Sequence, residues 1–104
     1  MKITIQYFDG CPHWKLVDER VRRVLRDLSR SDMKLEYQLI DTPEAADHAR
    51  FRGSPTILID GYDPFATEGQ PFGLTCRVYE TVDGAQGAPT EAELRRLLAR
   101  DLRV

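Results

Sequence analysis

An α/β domain with the element order β-α-β-α-β-β-α is predicted by three features of the chain. Apolar and polar residues alternate in four short runs, residues 2–8, 35–41, 55–60 and 75–81. Apolar residues recur at every third or fourth position from residue 12 to about 29, and again after Thr90. Gly10, Gly53, Gly61 and Gly84 punctuate the boundaries of these runs. The 104 residues are 41% hydrophobic with no shift of composition along the chain, so residues 1–104 are expected to form one domain around a single core.

In the first strand Ile3, Ile5 and Tyr7 alternate with Thr4, Gln6 and Phe8, and apolar residues on both faces place it centrally in a sheet. Pro12 suits the first position of the helix that follows, where a missing N–H has no partner to lose. Trp14, Val17, Val21, Val24 and Leu28 make the apolar stripe of that helix, and Asp18, Glu19, Arg22, Arg23, Arg26 and Asp27 its solvated face. Leu35, Tyr37 and Leu39 alternate with Glu36 and Gln38 in the second strand. A helix between the two strands predicts a parallel pair with a right-handed crossover. Thr42, Pro43 and Glu44 read as the N-cap and first turn of a short helix through about residue 50.

Pro55 opens the third strand, where a residue that cannot donate to a ladder is tolerated, and Ser54–Pro55 is a candidate cis bond. Residues 61–74 carry Tyr62, Phe65, Phe72 and Leu74 among glycines and prolines. They read as a compact loop packed on its own side chains, with a substrate or dimer contact as the alternative. The fourth strand, 75–81, mixes Cys76, Val78 and Tyr79 with Arg77 and Glu80, and Asp83-Gly84 supplies a turn. Thr90 and Glu93 form a capping box ahead of the last helix, whose apolar positions are Leu94, Leu97, Leu98 and Leu102.

The formal net charge is −2, from fifteen basic and seventeen acidic residues interspersed along the chain. No basic face for nucleic acid or acidic lipid is expected from that pattern. The chain enters a strand almost at once, without the apolar core of a signal peptide or a run long enough to span a membrane, which predicts a cytoplasmic protein without membrane partners. In a reducing compartment two cysteines this far apart do not make a disulfide scaffold, so any disulfide they form should be transient.

The residues 7–14, Tyr-Phe-Asp-Gly-Cys-Pro-His-Trp, place Cys11 where a strand turns into a helix. A cysteine is by default a small buried hydrophobe, but at a helix start the unpaired N–H groups and the positive dipole end favour the reactive thiolate. Asp9, two residues away, opposes that ionisation. His13 could supply positive charge or shuttle a proton, although a solvated histidine on the first turn is the default. His48 reads as surface. Two histidines and two cysteines without metal-site spacing give no zinc signature and no expected metal, and a lone Cys11 would hold a soft metal only with help from another thiol.

The element order, Cys11 after the first strand and Gly53-Ser54-Pro55-Thr56 at the third together resemble the thioredoxin superfamily over nearly the whole chain. Cys11-Pro12-His13-Trp14 is similar to the family's Cys-x-x-Cys, closest to the Cys-Pro-aromatic-Cys of glutaredoxins, and Pro55 matches the family's cis-proline. The Gly-Ser-Pro-Thr-Ile-Leu-Ile-Asp-Gly stretch with the later Cys-Arg-Val-Tyr also resembles small thioredoxin-like proteins grouped with mercury resistance. The resemblance implies a four-stranded mixed sheet flanked by helices, a nucleophilic Cys11, and a substrate groove at Pro12, His13, Trp14, Ser54 and Pro55. In that groove the Ser54 backbone would pair with an extended peptide or thiol substrate.

Trp14 stands where dithiol members have their second cysteine. It also falls on the apolar stripe, and so reads as core packing beside the site. This is the monothiol pattern, in which an outside thiol releases the mixed disulfide. Glutathione-using members commonly have a lysine before the cysteine and a Gly-Gly-Asp after the fourth strand, where this chain has Asp9 and Asp83-Gly84. The implied function is monothiol thiol–disulfide exchange on protein or small-molecule thiols and disulfides. It needs no cofactor beyond a low-molecular-weight thiol as co-substrate. The alternative is a non-catalytic binder of a soft metal, an organomercurial or protein thiols on the same fold.

Cys76 is the possible secondary thiol. With the third strand antiparallel to the first and the fourth returning from its far end, Cys76 is expected about 15 Å from Cys11 and buried for structural reasons. Pairing with Cys11 would require the 61–74 loop to fold over and carry the start of the fourth strand with it.

Overall fold

A computed structural model describes residues 2–30, 32–66 and 69–100. Along the chain they form β1 (Lys2–Tyr7), α1 (His13–Asp27), β2 (Lys34–Leu39), α2 (Pro43–His48), β3 (Thr56–Ile59), β4 (Tyr79–Thr81), β5 (Gly84–Gln86) and α3 (Glu91–Arg100). β1 is central, as its two apolar faces predict. It pairs in parallel with β2 from Lys2↔Lys34 to Tyr7↔Leu39, and antiparallel with β3 from Ile3↔Ile59 to Gln6↔Thr56. The three-stranded mixed sheet therefore has the order β2-β1-β3.

Ile3, Ile5 and Ile57 meet the buried stripe Val17, Val21 and Val24 of α1 and Leu94 and Leu98 of α3 in the main core. Trp14 and Leu28, at the two ends of the stripe, pack against its margin. Arg23 reaches across to Glu91 at 2.7 Å, and this hydrogen-bonded ion pair holds the Glu91 carboxyl below the usual carboxylate range. Arg95 joins Asp27 at 3.0 Å and Glu91 at 3.1 Å, so charged pairs tie α1 to α3 above the apolar contact. A second core cluster, Ile40, Ala46 and Phe51, lies with α2, and Phe8 and Leu74 pack against it.

Local signals account for the helix ends. The Thr42 side chain accepts the Ala45 N–H at 3.0 Å, and Thr90 and Glu93 cap each other's N–H groups at 2.8 and 3.1 Å. Pro12 sits one position outside the expected one, as the N-cap of α1, and makes no side-chain cap bond. Among the described residues no helix is long and apolar enough to cross a membrane. Leu102, expected on the last helix, lies outside the described residues.

The sequence expectation departs from the structure after Asp60. The expected fourth strand of the main sheet is realised only over β4, which pairs with β5 in a separate hairpin, Tyr79↔Gln86 to Thr81↔Gly84. β5, Gly-Ala-Gln, has no alternating apolar pattern of its own. The start of the expected strand, residues 75–77, instead lies beside Ser54. The 61–74 loop brings it there. Gly73 donates its N–H to Phe51 O at 3.0 Å, the Asp63 carboxylate pairs with Arg77 at 2.9 Å, and the Phe65 ring meets Tyr79 edge-on at 5.2 Å. Asp63, Phe65 and Gly73 of the loop are thus packed on neighbouring groups, while Tyr62 remains 70% exposed.

Candidate functional site

Gly53 makes the close approach of residues 75–77 possible. Its φ of +117° is in the region that favours glycine, and a Cβ there would stand 3.0 Å from Thr75 O and 3.1 Å from the Arg77 Cα. With no side chain in the way, Ser54 donates its N–H to Thr75 O at 2.7 Å and accepts the Arg77 N–H at 2.8 Å. Ser54 and Cys76 therefore pair in parallel. Both backbone groups of Ser54 are satisfied by the chain itself, which corrects the expectation that they pair with an extended substrate. The next bond, Ser54–Pro55, is cis, and the Pro55 carbonyl accepts the Tyr79 hydroxyl at 2.5 Å.

Cys11 stands between the end of β1 and the start of α1, with its N–H bonded to Phe8 O at 3.2 Å. Its thiol donates to Ser54 O at 3.4 Å and lies 3.7 Å from His13 Nδ1. The Cys76 Sγ completes the group: the sulfur atoms of Cys11 and Cys76 and a ring nitrogen of His13 all lie within 4.8 Å of one another. The roughly 15 Å separation expected for the two cysteines is thereby corrected. The 61–74 loop folds over and carries the start of the expected fourth strand to the Cys11 end of the sheet.

Burial is the reverse of what the sequence suggests. Cys11, read as a reactive thiol at a helix start, is 0% exposed, whereas Cys76, expected in the core, is exposed. Ser54, His13 and Cys76 occupy the space around the Cys11 sulfur that solvent would otherwise take. His13 is exposed, as is His48 at the end of α2. Trp14 is half-buried and stacks on Tyr7 with ring centroids 4.3 Å apart. It packs beside the cluster, in line with its place on the apolar stripe.

The Cys76 thiol is pushed up to about 11, first by its hydrogen bond with Cys11, then by burial and the Cys11 charge. No acidic side chain lies in the first turn of α1, and Asp9 is exposed. Cys11 accordingly meets the helix end without a neighbouring carboxylate from that turn.

Spacing along the sequence gives no metal signature, yet the fold assembles two thiols and an imidazole, a donor set suited to soft cations. Gly87 is the member of this neighbourhood that the sequence did not point to. A Cβ there would lie 2.5 Å from His13 Nδ1 and 2.7 Å from Cγ and Cε1, so the ring is seated against bare backbone. The nearest local signal is the set of small residues Gly84, Ala85, Gly87 and Ala88 around Gln86.

Comparison with protein-family models, with curated proteins and with solved structures finds no match. The chemistry of the cluster is therefore argued from its own geometry.

Proposed function

We propose that this chain is a thioredoxin-like thiol–disulfide oxidoreductase of the cytoplasm with Cys11 as the nucleophile. The observation that carries the reading is the approach of Cys76 to Cys11, within 4.8 Å at the start of α1. It is supported by the β2-β1-β3 order with β1 and β2 parallel, and by Cys11 following β1 while Pro55 precedes β3.

In the first step the Cys11 thiolate attacks one sulfur of a substrate disulfide R–S–S–R′. A Cys11–S–S–R bond forms and R′S⁻ leaves, taking a proton by way of the His13 imidazole or from solvent. In the second step Cys76 gives up its proton to the departing thiolate and attacks the Cys11 sulfur. The substrate fragment leaves as RSH, and a Cys11–Cys76 disulfide remains. Two electrons have passed from the protein to the substrate, and an external thiol pair restores both cysteines. The motif itself is monothiol. The resolving thiol comes from residue 76, across the fold, and closing the gap to the about 2.05 Å of an S–S bond is a side-chain movement because residues 75–77 are already tied to Ser54.

The test is single-turnover reduction of a small disulfide followed by mass spectrometry. The wild type should lose two hydrogens and yield a peptide joining Cys11 to Cys76. Cys76→Ser should stop at a mixed disulfide on Cys11 that only added thiol releases, and Cys11→Ser should be inactive. Full activity in Cys11→Ser sinks the reading. Wild-type release of substrate by Cys76→Ser without added thiol would show that Cys76 is not the resolving thiol.

A further inference from the structure

We propose that Cys11 Sγ, Cys76 Sγ and His13 Nδ1 form a binding site for zinc(II), with the fourth tetrahedral position left to solvent or an exogenous ligand. The donor set is the first argument. Two thiolates and one imidazole are ligands that this borderline-soft cation prefers, and three protein ligands with one open position is an arrangement zinc adopts when it is to bind something further.

Distances are the second argument. Zn–S bonds of about 2.3 Å and Zn–N bonds of about 2.0 Å at tetrahedral angles put neighbouring ligand atoms about 3.5 to 3.8 Å apart. Cys11 Sγ and His13 Nδ1 already stand 3.7 Å apart. Cys76 Sγ lies within 4.8 Å of Cys11 Sγ and of a His13 ring nitrogen, and a movement of about an ångström brings its sulfur to ligand spacing from Cys11 Sγ. It is free to do so, since it is exposed, as is His13, and the same exposure gives the cation its way in.

The surroundings fit the charge as well. Two thiolates in a site where one sulfur is fully buried cost desolvation, and a divalent cation neutralises both while the two thiol protons leave to solvent. The Cys11 thiol gives up its hydrogen bond to Ser54 O on binding, but that carbonyl keeps the Arg77 N–H at 2.8 Å. The imidazole rests on backbone beside its Nδ1. Gly87 seats the ring, and the neighbouring residues Ala88 and Pro89 are buried, with Pro89 O accepting from Arg20 at 2.6 Å. A support of this kind, which orients a ligand without touching the metal, sets affinity nearly as strongly as the ligands do.

The site is tested on the reduced, metal-free protein, without turnover, so its outcome is independent of thiol exchange. Zinc(II) is titrated in competition with a chromophoric chelator, and cadmium(II) is titrated while thiolate charge-transfer absorption is recorded. One zinc per chain and a two-thiolate cadmium band are expected. Cys76→Ser, at an exposed position that tolerates the exchange, should halve the band and weaken zinc by more than about 100-fold, the upper end of what loss of a mere support costs. Gly87→Ala should displace the imidazole and weaken zinc by about 10- to 100-fold while the two-thiolate band stays intact. Equal zinc affinity in the wild type and Cys76→Ser, or a one-thiolate band in the wild type, overturns the site. Unchanged affinity in both His13→Ala and Gly87→Ala removes the imidazole and overturns the three-ligand assignment.

Discussion

Asp63 and Arg77 form an ion pair at 2.9 Å with side chains only 8% and 2% exposed. The same guanidinium nitrogen donates to Thr56 Oγ1 at 3.2 Å, and the Arg77 guanidinium carbon lies 4.8 Å from the centre of the Tyr79 ring. A buried cation without its carboxylate is far more costly than the pair is favourable, so Asp63→Ala should lower unfolding free energy by about 3 to 5 kcal/mol in urea titrations. Combining it with Arg77→Met, which removes the orphaned charge, should recover a large part of that loss. A single variant within about 1 kcal/mol of wild type would mean that Arg77 is stabilised without Asp63. Because the Arg77 N–H holds Ser54 O, Asp63→Ala should also slow oxidation of Cys11 with Cys76.

The importance of that pair explains why the site was only half legible in the sequence. Features that depend on a few neighbouring residues were readable: the α1 stripe from Trp14 to Leu28, the Thr42 and Thr90 caps, the central place of β1, and Cys11 at the helix start. The position of Cys76 depends on a loop that doubles back, pinned by a pair fourteen residues apart and admitted by the missing side chain of Gly53. Gly53 was visible only as a strand boundary, because a close backbone approach has no periodicity. The burial of Cys11 was hidden for the same reason, since the groups around its sulfur arrive with residues 54 and 76. β5 left no pattern because Gly84, Ala85 and Gln86 contribute a ladder and almost no side-chain contrast.

The Cys76 thiol gives the clearest pH signature. Its rise from an ordinary 9.0 to about 11 has the hydrogen bond with Cys11 as its first cause. At pH 8 a thiol with the higher value is about a hundredfold less ionised than one with the lower, so Cys11→Ser should speed alkylation of Cys76 by up to about 100-fold. Peptide mass spectrometry after timed iodoacetamide labelling measures this directly. The raised value also makes folding weaken with alkali: the stabilisation is complete below about pH 9, where the unfolded thiol keeps its proton, and is lost as pH rises toward 11. Cys76→Ser should remove that part of the alkaline loss. An alkylation rate at Cys76 that does not change in Cys11→Ser would place the cause in its own surroundings.

Trp14 occupies the position where the resemblance to dithiol proteins asks for a cysteine, and its contacts decide what it does there. Its ring stacks on Tyr7 at 4.3 Å, meets Tyr37 edge-on at 6.3 Å, and packs against the main core cluster through α1. A fully buried tryptophan cut to alanine costs about 3 to 5 kcal/mol, and a half-buried one should cost less, so Trp14→Ala should destabilise by about 2 to 3 kcal/mol. Trp14→Phe keeps an aromatic face toward Tyr7 and should retain most of the stability. If the ring is packing alone, the folded fraction of Trp14→Ala should still form the Cys11 mixed disulfide with a small disulfide at close to the wild-type rate. Measuring that rate below the melting transition, beside the urea curves, separates the two roles. A large loss of rate with little loss of stability would make Trp14 a surface on which substrate rests.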